Sequence, residues 1–353
     1  MPFVKSIRFK GLRITREEFL LREIGSRVGQ PFSAKQLQED LRRLENLCLF
    51  SRISSRITED GTGGRDITIN IVEAFYWLAI PYIVKSDHYG YYYGLSFSHS
   101  NVGGRKHDLA VNGMWGGIRG FETVYASSLT YSRPIAFSAA MADVKSVHPL
   151  WNYETRNRLA SLRLRRRIGP VSQMFGSLNY LSLGFELRST RFNEPEIAFD
   201  PDGEDLISTL SLSYTNNNSD IFINPRNGHV LHLGLEYWNA NLENHFGEFS
   251  IRYSKYQTVA KNLVLAANAQ MDGNLRSVPR YAYKFLGGSN FRGCEYGDYY
   301  GESLFLNNYE IRWLPGKRWH VWKIFFEPVA ALFADFALIG PHDSFFKGRL
   351  HQG

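Results

Sequence analysis

From Tyr76 almost to its end the chain is written in period two, and this feature limits its fold more than any other. Tyr91, Tyr93, Leu95 and Phe97 alternate with Tyr92, Gly94, Ser96 and Ser98, and Leu210, Leu212 and Tyr214 with Ser211 and Ser213. Leu231, Leu233, Leu235 and Tyr237 alternate with His232, Gly234 and Glu236, and Phe249, Ile251 and Tyr253 with Ser250, Arg252 and Ser254. Such alternation places the two sets on opposite faces of a strand. Turn signals such as Asn101-Val102-Gly103-Gly104, Pro201-Asp202-Gly203 and Pro225-Arg226-Asn227-Gly228 separate the runs. About 13 segments of roughly ten residues follow one another, the length that crosses a bilayer when tilted. A soluble sandwich also alternates, but it needs a second apolar layer. Here the other face is small and polar, and Tyr, Trp and Phe gather near the strand ends, as in a barrel with a wet lumen and a lipid-bathed outside.

Composition agrees. A hydrophobic share of 44% excludes a disordered chain, and 20 Tyr, 25 Phe and 31 Gly favour strands and turns. The most apolar window, Val321 to Gly340, is interrupted by Lys323, Glu327, Pro328 and Asp335, so it reads as strand and not as a membrane helix. The opening MPFVKSIRFKG shows no signal peptide. The net charge of +7 is spread along strands, as at Arg156, Arg158, Arg163, Arg165, Arg166 and Arg167, without a nucleic-acid motif, so no nucleic-acid partner is expected. Cys48 and Cys294 fall in different expected domains, which argues against a structural disulfide. Metal-ligand spacing, a G-x-S-x-G elbow and a phosphate-binding glycine loop are all missing from the sequence, and His229 and His232 fall on opposite faces of one strand. The expectation is a protein with no catalytic residues, no metal and no cofactor.

Residues 1–74 read differently. Val4, Ile7 and Phe9 form a strand ending at Gly11. Thr15 with Glu18, then Ser33 with Gln36, read as capping boxes for two helices. Leu37, Leu41, Leu44 and Cys48 share one face of the second, which makes Cys48 a core residue by this reading. Phe50 to Ile57 and Ile67, Ile69 and Ile71 supply two more strands, giving the order β-α-α-β-β.

The stretch GGSNFRGCEYGDYYGESLFLNNYEIRW, Gly287 to Trp313, sets one arginine in a glycine- and aromatic-rich loop. It then enters a strand whose polar face is Asn308, Glu310 and Arg312. The pattern Val4, Ile7, Gly11, Thr15, Gly29, Phe32, Leu37, Leu44, Leu47, Phe50, Ile53 and Ile67 to Glu73 resembles a POTRA domain. The remainder resembles the barrel of the BamA/TamA family of outer-membrane assembly factors, bacterial surface antigens. Phe291-Arg292-Gly293 stands where that family has an aliphatic residue, Arg, Gly and an aromatic; Asn101 to Gly104 and Asp220 to Gly228 are further marks. Phe291 is bulkier than the family residue, and Cys294 replaces the aromatic.

The resemblance implies a mainly β protein: a POTRA domain at 1–74, then a transmembrane antiparallel β-barrel at 75–353. In such a barrel Gly287, Gly288, Phe291, Arg292 and Gly293 form a loop folded into the lumen, where Arg292 meets Glu310 and Asp335. It also implies a factor that assists folding and insertion of β-barrel proteins into the outer membrane of a Gram-negative bacterium, with the POTRA domain in the periplasm. Unfolded barrel clients would add as strands to an edge carrying Phe50, Ile53 and Ile57, and would meet a lateral seam at a first strand around Trp77 to Val84. Pro81 would weaken pairing there, or equally mark a strand start or bulge. Membrane lipids and accessory lipoproteins or subunits are the other implied partners. A polypeptide-secretion pore of the two-partner type shares the same parts, and an organelle outer membrane is the alternative compartment. A family barrel has sixteen strands, so about 13 are expected to be a fragment lacking C-terminal strands, or a wall completed by a neighbouring chain.

Overall fold

The computed structural model describes all residues except 1, 60, 62, 87–89, 149–150, 170–177, 221–223, 289, 316–318, 322–323, 327 and 344–353. The N-terminal domain carries β1 (Phe3–Lys10), α1 (Glu17–Glu23), α2 (Ala34–Asn46), β2 (Phe50–Glu59) and β3 (Gly64–Glu73). Its sheet order is β1-β3-β2, with β3 parallel to β1 and antiparallel to β2. Ile67, Ile69 and Ile71 alternate onto the face that meets Phe19, Leu20 and Ile24 of the first helical segment and Leu37 and Leu44 of α2. Each such side chain contributes roughly 1.5–3 kcal/mol when fully buried.

Ser33 caps α2 as expected, its Oγ accepting from the Gln36 N–H at 3.3 Å. Two other readings are corrected. Helix α1 starts at Glu17 with Arg16 as its uncapped N-terminal flank, because the Thr15 hydroxyl is engaged with Tyr76 and Asn101. Cys48 is exposed and adopts φ 55° just beyond α2. That left-handed step ends the helix and swings Cys48 off the apolar face, and Leu47 and Leu49 are buried on either side of it.

The other strands are β4 (Trp77–Ser86), β5 (Gly90–His99), β6 (His107–Gly116), β7 (Ile118–Ser127), β8 (Ile135–Val147), β9 (Glu154–Arg167) and β10 (Leu178–Phe192). They continue with β11 (Glu204–Asn217), β12 (Gly228–Ala240), β13 (Asn244–Ala260), β14 (Leu263–Asn274), β15 (Lys284–Leu286), β16 (Tyr299–Gly301) and β17 (Ser303–Trp313). Last come β18 (Trp319–Val321), β19 (Ile324–Phe326) and β20 (Ala330–Gly340). Thirteen of them, β4 to β14 with β17 and β20, form one sheet ordered by sequence, while β15-β16 and β18-β19 are separate hairpins. The window read as strand from Val321 to Gly340 therefore supplies β19 and β20; Lys323 and Glu327 lie outside the described residues, as do residues 344–353 of the tail.

Register decides what each face is. Leu181, Tyr214, Leu233, Ile251, Met271, Phe305 and Leu338 stand opposite one another across seven strands from β10 to β20. On this face Leu233 is 39% and Leu235 59% exposed. One step along, on the other face, the row is Ser182, Ser213, Gly234, Ser250 and Asp272. In β4 to β6 the same contrast sets Ile83, Tyr93 and Trp115 against Tyr82, Gly94 and Met114. Apolar rows of this extent, from β10 to β20 and again across β4 to β6, belong in lipid.

The N-terminal domain is bonded to the turns between β5 and β6 and between β7 and β8. Asn101, fully buried, donates to the Thr15 hydroxyl (2.9 Å), which also meets the Tyr76 hydroxyl (2.7 Å), and Arg16 N–H donates to Gly104 O (3.0 Å). Glu23 accepts from the Thr130 hydroxyl (2.6 Å) and from the Ser132 hydroxyl and N–H, and the Arg43 guanidinium lies 3.7 Å from the Tyr131 ring centre. Burial pushes the Tyr76 hydroxyl up to about 12, with the Glu73 carboxylate adding to the effect.

Glu73 closes the junction by accepting from Ile14 N–H (3.1 Å) and Thr15 N–H (2.8 Å). Burial alone would raise its pKa, but these N–H donors outweigh burial and hold it below the usual 4.5. The carboxylate therefore stabilises the junction fully above 4.5, and this contribution is lost as pH falls through the lowered folded value. Hydrogen-exchange protection of the Thr15 amide, corrected for intrinsic rate, should be constant from about pH 7 to 5 and fall below 4.5. In Glu73→Gln it should be low throughout; native protection that stays constant to about pH 3 would remove Glu73 from the junction.

Candidate functional site

Between β14 and β17 the chain runs through a long loop whose arms pair as β15 and β16, Lys284 opposite Gly301 and Leu286 opposite Tyr299. Its tip depends on backbone that only glycine adopts easily: Gly287 has φ 119°, Gly288 φ 65° and Gly293 φ 93°. Gly288 N–H donates to Cys294 O at 2.8 Å, and Asn290 knots the turn by accepting from Gly287 N–H (3.0 Å) and donating to Phe285 O (2.9 Å). Phe291 packs against Leu286, Leu304 and Leu306 with Ala337 and Ile339, an apolar patch on the otherwise polar face. Its bulk is accommodated there.

Arg292 projects onto β17 and β20. Its backbone N–H and its Nε donate to Asp335 Oδ2, both at 2.9 Å, while Nη2 donates to Asp335 Oδ1 at 2.6 Å and Nη1 to Glu310 Oε1 at 2.5 Å. The guanidinium lies 3.9 Å from the Phe333 ring centre. Arg312 donates from Nε to the other Glu310 oxygen at 2.6 Å. Two guanidinium groups thus alternate with two carboxylates, and the Asp335 side chain is only 2% exposed. Asn308, opposite Asp335 in the ladder, donates to Asn290 O at 3.1 Å. It also accepts from Asn268 (3.0 Å), which in turn accepts from the Ser254 hydroxyl (2.9 Å). A polar ladder from β13 to β17 therefore ends on the loop.

The structure thus brings Gly287, Gly288, Phe291, Arg292 and Gly293 together with Asn308, Glu310, Arg312 and Asp335. Asn290, Asn268 and Phe333 belong to the same site and escaped the sequence reading. The Asn four residues after Leu286 in a glycine turn was a usable signal for the knot; nothing local marked the other two. Phe50, Ile53 and Ile57 are on β2, which pairs only with β3 among the described residues. Phe50 and Ile53 pack against the domain core while Ile57 is exposed. The side of β2 away from β3 is a main-chain edge among the described residues.

Residues 2–74 match the POTRA family, described as a surface antigen variable number repeat. Residues 84–335 match the Omp85 superfamily domain. The chain belongs to the Omp85 superfamily. Among solved structures, BamA from Haemophilus ducreyi lacking POTRA domains 1–3 aligns with a TM-score of 0.63 at 16% identity, over 99% of this chain and 74% of that one. CdiB from Acinetobacter baumannii (TM-score 0.60, 15% identity) and CdiB from Escherichia coli (0.61, 14%) each align over 96% of this chain. This chain spans 64% and 65% of their respective lengths. At these identities the likeness is one of fold. No curated protein matches the sequence. Within the Omp85 superfamily the thirteen-stranded sheet is the wall of an outer-membrane barrel, its apolar face toward lipid and its polar face toward the lumen.

Proposed function

We propose that this Omp85 protein is an assembly factor that helps other β-barrel proteins fold into the outer membrane of a Gram-negative bacterium, with its POTRA domain in the periplasm. The observation that carries the reading is a pair of strand edges in one compact unit. Among the described residues β2 is bonded on one side only, and the domain that holds it is tied by Thr15, Glu23 and Arg43 to turns of the wall. β4 of that wall pairs only with β5 among the described residues and carries Pro81, which donates no ladder hydrogen bond. A client strand adds to the β2 edge through main-chain bonds indifferent to its sequence, then pairs at the β4 edge as it enters the bilayer. Membrane lipids and accessory lipoproteins are the accompanying partners.

The comparable likeness to the two CdiB structures supports a second reading, a polypeptide-secretion pore of the two-partner type. The test is reconstitution into vesicles with an unfolded barrel client, alongside planar-bilayer conductance. An assembly factor speeds client folding into the vesicles and conducts little. A pore leaves client folding at the empty-vesicle rate and conducts strongly.

A further inference from the structure

The arginine loop is held at a second point. Lys284 stands at the start of β15, on the arm that leads to the tip, and its Nζ donates to Glu248 Oε1 at 2.6 Å. The two side chains are 12% and 20% exposed, so the pair is largely withdrawn from water. Glu248 lies on β13 directly opposite Glu236 of β12, and Asp272 of β14 stands opposite Ser250, two residues along the same face of β13. Like charges opposed across a ladder repel. Arg252 approaches this acidic stretch from the wall itself, at 3.9 Å from Asp272. The cation bonded to Glu248 comes from the loop.

We infer that Lys284 is a second latch of the arginine loop, a positioning residue that ties the loop's base to β13 while Arg292 ties its tip to β17 and β20. The two anchors differ in kind. Arg292 makes three hydrogen bonds from its guanidinium fork and a fourth from its backbone N–H, whereas Lys284 is a point charge on a flexible stem with one carboxylate partner. Because both hold one segment, each raises the effective concentration at which the other re-forms, and breaking the base latch frees the tip more often. The inference rests on the proposed assembly function only for its consequence, that loop position sets activity.

Cys294, two residues beyond Arg292 and partly exposed, is a native probe of the tip once the exposed Cys48 is replaced by serine. The measurement is the rate at which a membrane-impermeant maleimide labels Cys294 in the full chain in vesicles, folding being checked by heat-modifiable migration. Lys284→Gln should raise the rate about tenfold, and Glu248→Gln, which keeps the side-chain shape, should do the same. Lys284→Arg should stay within about twofold of the parent. The charge swap Lys284→Glu with Glu248→Lys should return the rate toward the parent value, which loosened packing alone would not do. Parent-like labelling in both glutamine variants, or a swap that labels as fast as the single changes, would overturn the latch. No client is present, so the outcome is independent of whether the protein assembles barrels.

Discussion

Arg292→Ala should lower the thermal stability of the barrel and slow client assembly together, at a cost of about 3–5 kcal/mol. The size follows from what is left behind. Asp335 loses three donated bonds' worth of geometry, two from the side chain and one from a backbone N–H whose loop is no longer held, and its side chain is almost fully enclosed. Glu310 keeps Arg312 but loses its other cation. Lysine at 292 retains the charge without the fork that reaches both carboxylates, so Arg292→Lys should recover less than half of the loss. Adding Asp335→Asn to Arg292→Ala should give back part of the stability, because the stranded charge is what costs most. The midpoint of heat-modifiable migration and the assembly rate in reconstituted vesicles are the two readings. If both match the parent, Arg292 is a solvated loop residue after all.

Much of this site was legible for two separate reasons. Period two assigned Asn308, Glu310 and Arg312 to one face of a strand; the register with β20, which sets Asp335 opposite Asn308 and Phe333 opposite Glu310, came only with the structure. The pairing of Arg292 with Glu310 and Asp335 came from the family resemblance, since no local rule joins positions 43 residues apart. Contacts that depend on how a loop lies over a wall stayed invisible: Asn290 with Asn308, Lys284 with Glu248, and Glu23 with Thr130. Each is a single polar residue in a chain full of them, and only the register of distant strands gives it a partner. The misread residues failed at helix ends. A Thr-x-x-Glu spacing states what a hydroxyl can do locally, and Thr15 had stronger offers from Tyr76 and Asn101. Helical spacing carried the reading one residue past Leu47, onto Cys48, whose own positive φ ends α2.

Gly287→Ala should unfasten the loop almost as thoroughly as losing the arginine, although it removes no charge. A Cβ at Gly287 would lie 1.7 Å from the Glu295 carbonyl oxygen and 2.8 Å from the Tyr296 Cα, and φ 119° is a conformation that alanine adopts only under strain. Both obstacles are backbone, so no side chain can rotate away, and the arms of the loop must part. The strain of the conformation alone is about 1–3 kcal/mol, to which the collision adds. Gly293 provides the control, since it also has positive φ (93°) but opens onto empty space, so that Gly293→Ala carries only the conformational cost, about 1 kcal/mol. Trypsin reads the difference directly, because cleavage after Arg292 requires the tip to leave the carboxylates. The parent and Gly293→Ala should resist under conditions where Gly287→Ala is cut. Equal resistance in all three would mean that the close approach of Gly287 to Glu295 is not what holds the loop in place.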